Sequence, residues 1–147
     1  MKILIINGPN LNMLGIREPS HYGRETYADL CKRLEAQANE LGYELEIFQS
    51  NHEGALVDKI QAAYFEGVDG IVINPAAYTH TSIALRDALA AVNIPAVEIH
   101  ISAVEKREPF RQISHVRDVC IKTITGRGTD GYLEAVECLS EYLKREN

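Results

Sequence analysis

Two residue types that together move protons stand two positions apart in Glu98-Ile99-His100-Ile101-Ser102. Alternate side chains of an extended strand share a face, so Glu98, His100 and Ser102 point one way while Val97, Ile99 and Ile101 point the other. A carboxylate beside an imidazole selects its tautomer and raises its basicity, which suits general acid or base work. A structural histidine satisfied by its neighbour would show the same spacing, and the loops around it must separate the two readings. The run Asn74-Pro75-Ala76-Ala77-Tyr78-Thr79-His80-Thr81-Ser82 adds an amide, hydroxyls and a second histidine at a strand-to-helix turn. Free N–H groups at such a start favour a carboxylate or hydroxyl-rich ligand. Ordinary helix capping explains Thr79 and Ser82 equally well, but gives no account of His80.

Arg107 and Arg111 are four apart, and a helical segment there would aim both guanidiniums from one face toward an anion. Glu105 and Glu108 are near enough to pair with them instead. Arg86 and Asp87 read as a solvated or interface charge pair. Asn10, Arg17 and Tyr22 fall in the long stretch 8–24, read as an active-site lid hinged at Gly15 and Gly23. A guanidinium close to a phenol favours the phenolate, so Tyr22 beside Arg17 could be a general base. An aromatic that merely packs the lid shut is the plainer alternative.

Some patterns lead away from these residues. Gly126-Arg127-Gly128-Thr129-Asp130-Gly131 matches G-x-G-x-x-G between a strand and a helix, but no strand with an acidic residue follows, so a tight turn is expected rather than a dinucleotide site. His21, His52 and His115 have no recognisable ligand spacing, and no metal is expected. Cys31, Cys120 and Cys138 share no C-x-x-C spacing and suit core packing in a reducing compartment.

The elements that must position these groups alternate along the chain. Residues 2–7 are an apolar run bounded by glycine and proline, expected as a buried strand in mid-sheet. A helix over 26–41 stops at Gly42, and Leu45, Ile47 and Phe48 mark a second strand. A second helix carries Leu56, Ile60 and Ala63 and ends at Gly67. Ile71-Val72-Ile73 is a third strand, and Ile83, Leu85, Ala88, Leu89 and Val92 line a third helix that Thr79 or Thr81 could cap. Strands over 96–101 and 119–124 and a closing helix over 132–144, with Leu133, Val136, Leu139 and Leu143 inward, complete one domain over 1–147. This alternation implies a parallel sheet between two helical layers, and right-handed crossovers favour a flavodoxin-like three-layer fold with strand order 2-1-3-4-5. Ligands of such sheets lie at the carboxyl ends of the strands.

Composition narrows the function classes. The 147 residues are 46% hydrophobic and 24% charged, an ordinary folded composition. A net charge of -6 without a basic tract argues against nucleic acid. Neither a signal-peptide layout nor a bilayer-length apolar run is present, and a cytoplasmic protein is expected. A receiver-type signalling module is a competing reading, but Asn7-Gly8-Pro9-Asn10 lacks the acidic cluster that holds its divalent cation. A hydrolase or lyase for another small carboxylate would use His100 without needing Tyr22 and Arg17.

Ile6-Asn7-Gly8-Pro9-Asn10-Leu11, Arg17-Glu18-Pro19 through Tyr22-Gly23, Asn74-Pro75 with Thr79-His80-Thr81-Ser82, and Glu98-Ile99-His100-Ile101-Ser102 jointly resemble type II 3-dehydroquinate dehydratase, in order and over nearly the whole chain. The resemblance implies a flavodoxin-like subunit, a homododecamer built from trimers and no cofactor. It also implies anti elimination of water from 3-dehydroquinate, a step of aromatic biosynthesis by the shikimate pathway or of quinate breakdown. Tyr22 would be the base, kept ionised by Arg17; Asn10 would hold a water against the enolate; and His100, oriented by Glu98, would protonate the departing hydroxyl. Asn74, the Ile101 and Ser102 backbone and the Ser102 hydroxyl match the carboxylate site, and His80 and Arg111 match ring-hydroxyl ligands. Arg107 matches a lid residue, and Asp87 one that reaches a neighbouring subunit's site. The family pattern has glycine where this chain has Ala76, a substitution that costs something if the position needs positive φ.

Overall fold

The computed structural model describes residues 1–16, 20 and 24–146. Five strands, β1 (Lys2–Asn7), β2 (Glu44–Gln49), β3 (Gly70–Asn74), β4 (Ala96–His100) and β5 (Lys122–Thr125), alternate with helices α1 (Tyr27–Leu41), α2 (Glu53–Phe65), α3 (Ile83–Val92) and α4 (Asp130–Glu146). All strand pairs are parallel and the order is β2-β1-β3-β4-β5, the expected flavodoxin-like arrangement. β3 and β4 are buried along their whole length and β1 along nearly all of it, whereas β2 and β5 are partly exposed edges.

The sheet divides the apolar residues by parity. Ile3, Ile5, Val72, Val97 and Ile99 pack with Leu30 and Leu34 of α1 and Val136 and Leu139 of α4. Leu4, Ile6, Ile71, Ile73 and Ala96 pack with Leu56 and Ile60 of α2 and Leu85 and Leu89 of α3. Removing such side chains from water is the main stabilising term of the fold. Among the described residues no helix is long and apolar enough to cross a membrane.

Local chemistry sets the helix ends. Thr26 Oγ1 accepts from the Asp29 N–H while Asp29 Oδ2 accepts from the Thr26 N–H, each at 3.1 Å, a reciprocal cap that starts α1. Ser82, rather than Thr79 or Thr81, caps α3, its Oγ accepting from the Leu85 N–H at 2.9 Å. Thr79 is instead buried beneath the turn that precedes the helix.

The bounds of β5 and α4 differ most from the sequence reading. Residues Arg117–Val119 form a short 3-10 turn, and β5 begins only at Lys122, where the chain has come alongside β4 through the Ile121 N–H to Ala96 carbonyl bond of 2.8 Å. Val119 and Cys120 owe their apolar character to packing against the core rather than to strand pairing. Helix α4 starts two residues earlier than expected, and its inner face is Tyr132, Ala135, Val136 and Leu139, with Leu133 and Leu143 only half-buried. The three thiols are free and half-buried; burial, with the Glu98 charge adding to it, pushes Cys120 up to about 12.

Candidate active site

The carboxyl ends of β1, β3 and β4 open onto a cleft of about 130 Å³. Pro9, Asn10 and Leu11 border it after β1; Asn74, Ala76, Ala77 and His80 after β3; and His100, Ile101 and Ser102 at the end of β4. Val104, Arg107 and Arg111 close the far side. Of the sequence-derived candidates among the described residues, only Glu98 and Asp87 fall outside this lining. Arg17 and Tyr22, together with His21 and the hinge at Gly23, lie outside the described residues.

Glu98 stands directly behind the lining. Register brings Ile73, Glu98 and Thr123 side by side across β3, β4 and β5. Glu98 is fully buried, and its Oε2 takes the His100 Nε2–H at 2.5 Å and the Ser114 hydroxyl at 2.7 Å. Its Oε1 takes the Thr123 hydroxyl at 3.0 Å and faces Arg117 Nε at 3.7 Å. Burial alone would raise this carboxyl, but the His100 bond and charge, with the Ser114 and Thr123 bonds, outweigh it and hold Glu98 below the usual carboxylate range. An ionised Glu98 accepts only, so His100 carries its proton on Nε2 in the neutral form and presents Nδ1 elsewhere.

The segment 113–115 ties the two histidines together. A carbonyl can only accept, so the 2.7 Å contact of His80 Nδ1 with the Ile113 carbonyl puts the His80 proton on Nδ1 and leaves Nε2 as its acceptor. The next residue, Ser114, holds Glu98, and the His115 N–H donates to the Thr79 carbonyl at 3.0 Å. Burial lowers the His80 pKa, with nearby His100 and Arg111 adding to the effect against the opposing Ile113 bond and Glu98 charge. Arg86 donates to the His115 carbonyl at 2.9 Å and faces Asp118 at 3.5 Å, so its partners are His115 and Asp118 rather than Asp87. Asp87 itself is exposed on α3.

Arg107 and Arg111 do share the cleft, though not through one helix. Val104–Lys106 and Pro109–Gln112 are separate 3-10 turns, with Arg107 extended between them and Pro109 opening the second. Glu108 pairs with both guanidiniums, Arg111 Nε at 2.7 Å and Arg107 Nε at 3.8 Å, while Glu105 accepts from Thr125 instead. Arg107 also donates to Ser102 Oγ at 3.4 Å.

The backbone around the cleft is braced from behind. The Gly126 and Gly128 N–H groups donate to the Ser102 and Ile101 carbonyls at 3.2 and 3.0 Å. Both glycines have positive φ, so the G-x-G-x-x-G stretch is a turn that steadies the end of β4. Gly8 runs against Pro75, whose carbonyl oxygen would lie 2.3 Å from any Cβ placed there. Ala76 has φ 54°, the left-handed conformation that favours glycine.

Sequence reasoning missed Ser114, Thr123 and Tyr132. The first two hold Glu98, and Tyr132 reaches from α4 to donate to Asn7 Oδ1 at 2.6 Å and accept from Asn74 Nδ2 at 2.9 Å. A tyrosine on the buried face of a helix was the available signal, since a buried phenol needs a polar partner.

A parallel sheet in the order 2-1-3-4-5, with a carboxylate-backed imidazole and two guanidiniums around a cleft at its strand ends, defines a flavodoxin-like α/β protein. The family model for Dehydroquinase class II matches residues 1–140, and the chain belongs to that family. A 3-dehydroquinate dehydratase of Caldicellulosiruptor bescii is 54% identical over 142 residues, 97% of this chain and 98% of the relative. One of Lachnospira eligens is 55% identical, over 95% of each chain. The crystal structure of a type II dehydroquinase from Butyrivibrio crossotus superposes with a TM-score of 0.94 at 55% identity, covering 95% of this chain and 97% of that one.

Proposed function

We propose that this chain removes water from 3-dehydroquinate to give 3-dehydroshikimate, in the shikimate pathway or in quinate breakdown. The observation that carries the reading is the buried Glu98–His100 pair opening onto a cleft that also presents two amides, a hydroxyl, a second imidazole and two guanidiniums. The family and the names of its relatives supply the substrate.

Elimination needs a base at the carbon next to the ketone and an acid at the departing hydroxyl, on opposite faces for an anti course. Tyr22, ionised beside Arg17, takes the proton and leaves an enolate. Asn10 holds a water against the enolate oxygen. His100, protonated on both ring nitrogens with its Nε2–H held by Glu98, then gives the Nδ1 proton to the C1 hydroxyl, the C–O bond breaks and the enolate electrons form the conjugated double bond. Tyr22 has gained one proton and His100 has lost one, so one transfer through solvent resets the enzyme. Asn74, the Ile101 and Ser102 backbone and the Ser102 hydroxyl bind the carboxylate. His80 and Arg111 bind ring hydroxyls, and Arg107 closes from the lid side. Fixed donors in a cleft with little room for water stabilise the developing charge, the term that usually dominates such catalysis.

The same reading makes the protein a cytoplasmic homododecamer of trimers in which Asp87 reaches a neighbouring subunit's cleft. Exposed Phe65 and Tyr64, at 84% and 61%, support burial of this surface in an assembly. Light scattering in solution checks it: a monomer would overturn the assembly.

Absorbance of the conjugated enone after addition of 3-dehydroquinate to metal-free protein tests the activity. A prompt rise, undiminished after treatment with borohydride in the presence of 3-dehydroquinate, supports the reading and excludes a lysine Schiff base. No rise from folded, assembled protein overturns it.

A further inference from the structure

Asn74, Tyr132 and Asn7 form a buried chain of hydrogen bonds whose direction is set from one end. The end is the Ala76 N–H, a group that can only donate, which meets Asn74 Oδ1 at 3.1 Å. The positive φ at Ala76 accompanies this turn, in which an asparagine side chain bonds the backbone two residues on. With Oδ1 so placed, the Asn74 amide nitrogen faces Tyr132, and the phenol oxygen must accept its proton at 2.9 Å. The single phenolic hydrogen is therefore committed to Asn7 Oδ1 at 2.6 Å. Asn7 in turn directs its own amide nitrogen to the Tyr27 hydroxyl at 3.3 Å. Tyr132 and Asn7 are completely buried, so water cannot substitute for a missing member. Burial also raises both phenols, Tyr27 to about 12, and keeps them as donors.

The consequence falls on the cleft. An asparagine amide has two N–H groups, and the chain consumes one. Asn74 also lines the cleft, and a flipped amide would present an oxygen there and repel a carboxylate.

We propose that Tyr132 is a positioning residue for the reaction: through Asn74 Nδ2, and together with the Ala76 N–H on Oδ1, it locks the Asn74 amide with its second N–H toward the cleft, as the donor for the substrate carboxylate. This inference rests on the proposed role of Asn74 and extends it to two residues, Tyr132 and Asn7, that touch no substrate.

Steady-state kinetics of Y132F, N74A and the double variant test it, on assembled protein with 3-dehydroquinate. Y132F is expected to raise KM about tenfold, the loss of one charge-assisted hydrogen bond, with a much smaller change in kcat. The double variant is expected to be no worse than N74A alone, because the lock has no other purpose in the cleft. An unchanged KM in Y132F, or effects of Y132F and N74A that multiply, would overturn the proposal. A wild-type KM in N74A would instead overturn the role of Asn74 itself, and the lock with it. Should Y132F not fold, N7A serves: without its acceptor the Tyr132 hydroxyl is free to turn toward Asn74, and KM should rise in the same way.

Discussion

Ser114 Oγ donates to Glu98 Oε2 over 2.7 Å, and that one oxygen also receives the His100 Nε2 proton. With Thr123 on the other oxygen, the carboxylate is held in its ionised, acceptor-only form by donors from three separate parts of the chain. Glu98→Gln keeps the shape but introduces an amide that faces at least one of these donors with another donor. Turnover should fall by about a hundredfold as His100 loses its orienting charge. Urea denaturation should show a loss of roughly 1–3 kcal/mol from the unmatched groups. Near-normal turnover would remove Glu98 from the mechanism.

The depressed Glu98 pKa also fixes a pH dependence. Its folded value lies below the ordinary 4.5, so its contribution to stability is complete above 4.5 and lost as pH falls through the lower folded value. Wild-type urea midpoints should therefore decline in that acid window more steeply than those of Glu98→Gln. Parallel curves would contradict the assignment.

For His80 the shift is downward from 6.5 and the proton lost is that of a cation. As pH falls through 6.5 the unfolded chain takes up a proton that the folded chain still refuses, so stability declines. NMR titration of the imidazole should give a midpoint below 6.5. A midpoint at or above the ordinary value would sink this prediction.

Gly8 has no room for a side chain, because the atom in the way is the Pro75 backbone carbonyl rather than a movable group. Gly8→Ala should destabilise the fold by about 1–3 kcal/mol or more and displace the loop that carries Asn10. Calorimetry checks the first effect and KM the second.

At Ala76 the opposite change should help. Its φ of 54° strains a residue with a Cβ, and Ala76→Gly should raise stability by up to about 1 kcal/mol. A lower melting temperature would mean that the methyl's packing outweighs the strain.

Much of this was open to inspection in the linear chain, for a local reason. Apolar spacing marks each strand and helix, and period-two alternation puts Glu98 and His100 on one face whatever surrounds them. Asn10, Asn74 and His80 are carried by strand ends, so an all-parallel order already sends them to the same edge of the sheet. Ser114 and Thr123 could not be found this way. They stand 16 and 25 positions from Glu98, and only the path of segment 113–115 and the β4–β5 register bring them to it. The arginines of 107–111 reached the cleft by a different backbone from the helix their spacing suggested, because proline and an extended Arg107 split the segment.

The sequence by itself determined which elements form, which face of each is apolar, and which chemical groups sit at strand ends, since these follow from backbone periodicity within a few residues. The tertiary structure alone decided how those groups are held. Tyr132 meets Asn7 across 125 positions and Asn74 across 58, and such contacts depend on how α4 packs over β3 and β4, which no local pattern encodes.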